Sequence, residues 1–145
     1  MDHQRLVREA VYRHIVEHGT APGLNALEAA AGLTPEECRA TLRALHEGHV
    51  IVLQPDGETI RIAAPFAPDE TRYRVRSADR AWYAPCAWDS LGIAAALRCD
   101  IAIDAACPLT GAPLEAGVRG GAVYGEAVVH MLVPAARFWD DIGFT

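Results

Sequence analysis

Three short amphipathic segments separated by glycines, with two apolar runs after them, limit the fold of this chain more than any other feature. In each segment the apolar residues recur at helical spacing, and Gly19 and Gly32 end the first two. Thr34-Pro35-Glu36-Glu37 begins the third segment with an N-cap threonine, a proline at the first position and a capping-box glutamate. The predicted helices cover residues 5–18, 24–31 and 35–47.

The two apolar runs after the third helix predict a hairpin. Residues 50–53 and 59–62 have strand composition, and Gln54-Pro55-Asp56-Gly57-Glu58 between them is typical of a turn. Three short helices and a hairpin predict a winged helix-turn-helix, and the rest of the chain predicts a small mixed α/β unit, so the fold class is α+β. We expect a winged-helix-like domain at 1–64, a linker with an edge strand at 65–80, and a domain that carries the chemistry at 81–145.

A winged helix suggests DNA binding, but the charge of the N-terminal unit argues against that function. Residues 1–64 contain six arginines and nine acidic residues, a net charge of −3. The third helix, which would enter the groove, has three glutamates against two arginines. Because phosphate neutralisation supplies most of the non-specific affinity for DNA, we expect a structural or oligomerising unit, compatible with a homodimer. Cys38 on this helix is predicted to lie in the core.

Length and composition predict a soluble protein with a sizeable core. The chain has 145 residues, 51% of them hydrophobic, which fits one domain or two small modules. The longest aliphatic run, residues 91–97, is too short to span a membrane, and the polar start Met1-Asp2-His3-Gln4 predicts no signal peptide. We therefore expect a cytoplasmic protein with no membrane partner, whose four cysteines are reduced thiols.

Residues 71–76 alternate in the manner of an edge strand and place three arginines on one side. Arg72, Arg74 and Arg76 are the only clustered positive charges in the chain. The pattern is compatible with a solvated strand face. It is also compatible with a patch that binds an anion or guides a substrate.

A cysteine and an aspartate three residues apart lie near the start of a helix predicted within residues 82–98. Pro85 fits the first turn of that helix, which also places Cys86 there, where free N–H groups and the helix dipole stabilise a thiolate. Asp89 lies on the same face. A low-pKa sulfur beside a carboxylate is a nucleophile or soft-metal ligand next to a proton carrier. A buried cysteine beside an acid that merely favours the dipole has the same spacing.

The segment around this pair resembles the active-site helix of the alkylmercury (organomercurial) lyases. That family has the pattern Cys-Ala-x-Asp followed by leucine and small or apolar residues, and residues 82–93 here read Trp-Tyr-Ala-Pro-Cys-Ala-Trp-Asp-Ser-Leu-Gly-Ile. Residues 107–113, Cys-Pro-Leu-Thr-Gly-Ala-Pro, are similar to its Cys-x-x-Thr-Gly-x-Pro turn. Val129-His130 and Phe138-Trp139 resemble its late strand and the helix after it. Since the family also has an N-terminal winged-helix-like domain, the resemblance covers nearly the whole chain.

The resemblance implies protonolytic cleavage of a carbon–mercury bond in a small-molecule substrate. Cys86 matches the thiol that attacks the metal, Asp89 matches the carboxylate that handles the proton, and both would contact mercury. Cys107 matches a structural cysteine. Glu126, or a neighbour, stands where the family has a second catalytic cysteine just before Val-His, and it completes the predicted catalytic set. The resemblance implies no cofactor: mercury is substrate and product, and a free thiol removes it.

Other roles for the cysteines stay open. Cys99 could replace the second thiol, although a continuous helix would hold it roughly 20 Å from Cys86. A zinc site built from Cys86, Cys99, Cys107 and His130 lacks paired ligands, and a histidine on an apolar strand is more often a core residue. The tryptophans are expected in the core and in a pocket wall that shelters an organic group: Trp82, Trp88 and Trp139.

Two alternative functions use the same residues differently. One is a winged-helix protein that senses or sequesters a soft metal or a reactive electrophile through Cys86. The other is an enzyme of the lyase fold recruited to different carbon–heteroatom chemistry. Metal titration and product identification distinguish them.

Overall fold

The computed structural model describes residues 2–144, and within that range helices and antiparallel sheets alternate along the chain. The helices are α1 (His3–His18), α2 (Leu24–Ala31), α3 (Pro35–Glu47), α4 (Ala87–Leu97) and a 3-10 helix (Ala135–Asp140). The strands are β1 (Val52–Leu53), β2 (Ile60–Ile62), β3 (Tyr73–Arg76), β4 (Ala81–Ala84), β5 (Ile101–Ala106), β6 (Pro113–Arg119) and β7 (Ala122–Gly125). None of the described helices is long and apolar enough to cross a membrane.

The three N-terminal helices form where the sequence predicts them. α1 starts two residues early because Asp2 caps it, its carboxylate accepting the backbone N–H of Arg5. At α3, the Thr34 hydroxyl accepts the N–H of Glu37, whose carboxylate accepts the N–H of Thr34 at 2.8 Å. Cys38, predicted to lie in the core, is buried on α3 together with Leu42 and Leu45.

The hairpin after α3 is shorter than predicted. β1 has two residues and β2 three, paired antiparallel with an irregularity in the register. The N–H of Val50 bonds to the carbonyl of Leu45 at 2.9 Å, so this residue belongs to the turn that follows α3 and does not extend β1. Asp56 fixes the turn, since its carboxylate accepts the N–H groups of Glu58 and Thr59.

The second sheet has five antiparallel strands in the order β4-β3-β5-β6-β7. The prediction of an edge strand at residues 71–76 is wrong, because β3 lies between β4 and β5 and its Val75 is fully buried. α4 packs on one face, and the other carries exposed charged residues such as Arg74, Arg76 and Asp104. On that open face Arg76 forms a bidentate ion pair with Asp104, at 2.6 and 2.8 Å. In a sheet covered on one side, apolar and polar residues alternate along edge strands and interior strands alike. The alternation of residues 71–76 therefore does not distinguish an edge strand from an interior one.

The helix predicted within residues 82–98 is a strand followed by a shorter helix. β4 ends at Ala84, and α4 begins only at Ala87. Trp82 is buried on β4 and donates its indole N–H to the carbonyl of Val16 at 3.1 Å, which docks this strand against the end of α1. Pro85 therefore precedes the helix rather than occupying its first turn, and Arg98 ends the helix in the left-handed conformation, with φ 52°.

Residues 63–67 join the two parts of the chain through buried contacts. Phe66 is 2% exposed, and its ring meets those of Tyr12 and Trp82 edge-on, with centroids 6.5 and 6.3 Å apart. The Tyr12 hydroxyl donates to the carbonyl of Ala64 at 2.9 Å. One cluster of buried apolar side chains runs from α1 to β5. The division into domains at residue 64 stays a prediction, although its linker begins with a buried contact.

We expect Phe66→Ala to lower the free energy of unfolding by about 3–5 kcal/mol, since it removes a buried aromatic ring shared by both parts. Denaturant titration followed by circular dichroism measures the loss. Phe144→Ala is the matched control: Phe144 is 63% exposed, so its loss should stay within about 0.5 kcal/mol. Two separate transitions, only one of them shifted by Phe66→Ala, would show that the parts unfold independently and would contradict a shared core.

The end of the described chain departs from the late strand that the family resemblance implies. Residues 126–134 form no strand, and His130 is exposed, so the expectation of a core histidine on an apolar strand is wrong. β7 ends at Gly125, whose φ of 118° turns the chain away from β6. A 3-10 helix follows, and there Trp139 stacks on His49 with ring centroids 4.0 Å apart.

Candidate active site

Cys86 occupies the N-cap of α4, in the short connection from β4. Its backbone is extended, with φ −148° and ψ 172°, and its sulfur accepts the backbone N–H of Asp89 at 3.4 Å. The sequence placed Cys86 inside the first turn, and the correction is small, because the free N–H groups at the helix end still point toward the sulfur.

Burial is the largest influence on the pKa of this thiol. It raises the pKa of Cys86 above its ordinary value, and the negative charge of Asp89 adds to the increase. The backbone N–H groups of Asp89 and Trp88 act in the opposite direction but do not outweigh burial. The expectation of a low-pKa thiolate is therefore wrong, and the half-buried side chain favours the neutral thiol.

Asp89 has a shifted acidity of its own. Burial raises the pKa of this carboxyl, and a hydrogen bond with the Cys86 side chain lowers it in part. A carboxyl of raised pKa holds its proton closer to neutral pH than an exposed aspartate does, which suits a proton donor. Thiol and carboxyl thus form a pair at the start of one helix, and burial raises the pKa of both.

The N-terminal part of the chain contributes to the surroundings of this pair. Gly92 lies three residues after Asp89 on the same face of α4, and a Cβ atom at Gly92 would lie 3.1 Å from the Cβ of Pro65. The carbonyl just before Pro65, that of Ala64, is the one that accepts the Tyr12 hydroxyl. Burial raises the pKa of Tyr12, and the negative charge of Asp89 adds to the increase. The sequence pattern did not identify Tyr12, since its role depends on packing between distant segments.

The three tryptophans divide between interior and surface. Trp82 is buried, as predicted, but Trp88 in the first turn of α4 is 60% exposed and belongs to no core. Trp139 is also exposed. Trp88 is thus an open aromatic surface next to the thiol–carboxyl pair.

Cys107 lies in a hydrogen-bonded turn, as the resemblance implies. Its N–H bonds to the carbonyl of Ala112 and its carbonyl accepts the N–H of Gly111, both at 2.8 Å. Hydrogen bonds from the Thr110 hydroxyl, and from the N–H groups of Thr110 and Leu109, hold the pKa of the Cys107 thiol below its ordinary value. The pKa is therefore raised at Cys86 and lowered at Cys107.

We expect iodoacetamide to label Cys107 at lower pH than Cys86, because alkylation requires the thiolate. Peptide mass spectrometry of protein labelled briefly across a pH series gives the two midpoints separately. Asp89→Asn should lower the midpoint of Cys86, since it removes a charge that disfavours the thiolate. It should leave Cys107 unchanged. A Cys86 midpoint at or below that of Cys107 would contradict the assignment of a protonated thiol.

The structure does not bring the other predicted site residues to Cys86. Glu126 is exposed and follows β7, whereas Cys86 follows β4 at the opposite edge of the sheet. Four strand spacings of about 4.8 Å separate these edges. Cys99 lies past the far end of α4, as its distance along the helix predicts. The catalytic role of Glu126 stays a prediction without a contact to support it.

No three histidine, cysteine, aspartate or glutamate side chains between residues 2 and 144 come together as a metal-binding group. The zinc site considered from Cys86, Cys99, Cys107 and His130 is therefore wrong for the described chain. Cys86 and Asp89 are left as one sulfur and one carboxylate, a pair rather than a closed coordination shell.

Comparison with known proteins connects this geometry to a family. The family model MerB, alkylmercury lyase, matches residues 66–145, which is more than half of the chain. Among solved structures, the mercury-bound form of MerB2 superposes with a TM-score of 0.66 at 24% sequence identity, over 85% of this chain. The match spans 58% of that protein's chain, and at this identity it shows the fold alone. No curated protein matches. The matched residues include Cys86, Asp89 and the turn at Cys107, and the chain belongs to the alkylmercury lyase family.

Proposed function

We propose that this protein cleaves the carbon–mercury bond of a small organomercurial by protonolysis, with Cys86 as the mercury-binding thiol and Asp89 as the proton carrier. The observation that carries the proposal is the Cys86 sulfur at the N-cap of α4, 3.4 Å from the N–H of a half-buried Asp89. Family membership and the likeness to a protein crystallised with mercury support it.

The proposed reaction begins when sulfur replaces a ligand on mercury. The Cys86 thiol loses its proton as the S–Hg bond forms, because soft metals bind the thiolate and binding releases the proton. A deprotonated Asp89 accepts that proton. Asp89 then donates it to the carbon bound to mercury, and the electron pair of the C–Hg bond forms the new C–H bond. The products are a hydrocarbon and Hg²⁺ held on Cys86.

The raised pKa of the Cys86 thiol is compatible with these reaction steps. Mercury displaces the thiol proton, so a resting thiolate is not needed. A neighbouring carboxyl whose pKa is also raised is a stronger base than an exposed aspartate, which favours transfer of the displaced proton to it. The reaction needs no cofactor, because the proton that Cys86 releases is the one that Asp89 delivers to carbon.

Product release depends on thiols from solution. The residues described around Cys86 supply one sulfur, so a small thiol must ligate Hg²⁺ and exchange it away from the protein. The test is to incubate the protein with phenylmercury and excess dithiothreitol and to follow benzene by gas chromatography. We expect repeated turnovers, and deuterated benzene in D₂O because the transferred proton exchanges with solvent. Release no faster than with iodoacetamide-blocked protein would overturn the proposal.

A second candidate is sequestration of a soft metal or electrophile. It is favoured by the absence of a second described cysteine from the surroundings of Cys86, which would make product release slow. It predicts that phenylmercury stays bound to Cys86 as an intact adduct, visible by mass spectrometry, with no benzene formed.

We further propose that residues 1–64 are a winged-helix module with a structural role. The acidic residues at the start of α3, Glu36 and Glu37, would repel phosphate at the position where a recognition helix binds DNA. Self-association is the alternative use of this module, which sedimentation velocity measures. We place the protein in the cytoplasm because mercury cleavage with reduced thiols requires a reducing compartment.

A further inference from the structure

Two histidines in the second half of α1 contact each other on the surface of the molecule. His14 and His18 are four residues apart, so their side chains share one face of the helix. Their ring centroids are 4.4 Å apart, with an angle of 54° between the ring planes. His18 is exposed and His14 is half-buried, so a ligand in solution can reach both rings.

The fold makes no other use of these two imidazoles. Among residues 2–144, no side-chain hydrogen bond includes either ring. Glu17 is their charged neighbour, with its carboxylate 3.9 Å from the Nε2 of His18. His46, in contrast, accepts the backbone N–H of Leu53 through its Nδ1. The ring nitrogens of His14 and His18 are therefore available to an external ligand.

The surroundings of this pair leave room for an ion and its waters. A groove of about 140 Å³ runs beside His14, between α1 and α2. Arg13 and Glu17 line the groove on the side of α1, and their opposite charges offset each other, while apolar residues such as Leu27 line it on the side of α2. In the part of the chain that the structure describes, no third ligating side chain converges on the two rings. Water would therefore complete the coordination, as in an open metal site.

We propose that His14 and His18 form a binding site for a divalent transition metal ion of the class of Zn²⁺, Ni²⁺ and Co²⁺. Two histidines at this spacing on one helix face can ligate a single zinc ion. Imidazole nitrogen suits these metals, whereas Mg²⁺ and Ca²⁺ prefer oxygen ligands. Once one imidazole has bound, the second binds intramolecularly, which strengthens the pair over a single histidine. The site shares no residue with the Cys86–Asp89 pair and does not depend on mercury cleavage.

Occupation of this site would stabilise the last turn of α1, which holds β4 in place. The carbonyl of Val16 lies in this turn and accepts the indole N–H of Trp82 at 3.1 Å and the guanidinium of Arg80 at 3.2 Å. A metal ion that joins His14 to His18 links the two sides of that turn. Because binding to the folded state stabilises it, amide hydrogen exchange in the last turn of α1 should slow when the metal is added.

The test is a titration of isotope-labelled protein with Co²⁺, followed by paramagnetic broadening of the amide signals in NMR spectra. Broadening locates each bound ion and requires no activity. We expect the amides around His14 and His18 to broaden at a Co²⁺ concentration that leaves those around His130 sharp. His14→Gln and His18→Gln should each raise the concentration needed at α1 by at least about tenfold, because a single imidazole has no intramolecular second ligand.

His130→Gln is the matched control, since it removes an exposed histidine outside α1. It should leave the titration of the α1 amides unchanged, and excess Zn²⁺ should restore their signals by displacing Co²⁺. Glutamine is a good helix former, so both α1 variants should keep the dispersed spectrum of the folded protein. Broadening at α1 that survives either of these variants, or that appears no earlier than broadening around His130, would overturn the proposal. Unchanged hydrogen exchange at the end of α1 with bound metal would overturn its stabilising role.

Discussion

Cys86→Ala is expected to reduce benzene release from phenylmercury to the rate of protein-free buffer. The sulfur is the only described soft ligand beside Asp89, and a carboxylate alone is a poor ligand for a large polarizable metal. Without the S–Hg bond, the C–Hg bond is neither polarised nor held next to the proton carrier. Gas chromatography of benzene at equal protein concentration measures the loss.

Cys99→Ala is the matched control for this prediction. It removes a half-buried thiol from the far end of the same helix, outside the proposed machinery. We expect the control to retain wild-type benzene release, with small losses confined to stability. Similar losses in both variants would mean that benzene release depends on the number of thiols or on the integrity of α4, and it would remove Cys86 from the mechanism.

Local signals made the N-terminal helices and the Cys86–Asp89 pair predictable. A capping box such as Thr34–Glu37 involves residues three apart, so its hydrogen bonds depend only on the local sequence at the start of the helix. The spacing of Cys86 and Asp89 likewise fixes their proximity through the geometry of one turn, so the pair forms even though the helix begins at Ala87 and Pro85 precedes it.

Properties that depend on distant segments were not predictable in the same way. The acidity of Cys86 follows from burial, which the helix dipole alone does not reveal. The alternation of residues 71–76 is compatible with an edge strand, and only the pairing of β3 with β5 shows that the strand lies inside the sheet. Tyr12 reaches α4 only through Ala64 and Pro65, a connection treated as linker from its composition.

The raised pKa of Cys86 changes the roles that we propose for Cys86 and Asp89. A resting thiolate would make Cys86 the activated group and Asp89 its helper. In the proposed mechanism, a thiol and a carboxyl that both have raised pKa values instead make proton transfer between the two the step that couples mercury binding to C–Hg cleavage. Transfer of this proton is then the central feature of the proposed mechanism, and Asp89 is the residue whose replacement tests it most directly.

Asp89→Asn is expected to slow benzene release about 10²- to 10⁴-fold, the usual contribution of general acid catalysis. Asparagine keeps the shape of the side chain and the backbone N–H that donates to the Cys86 sulfur, so capture of phenylmercury by Cys86 should persist. Single-turnover assays with excess protein measure release, and mass spectrometry measures capture. Asp79→Asn, at an exposed position before β4, should match wild type in both assays. If the two variants released benzene equally fast, the proton would come from water or from the thiol directly, and Asp89 would have no part in its transfer.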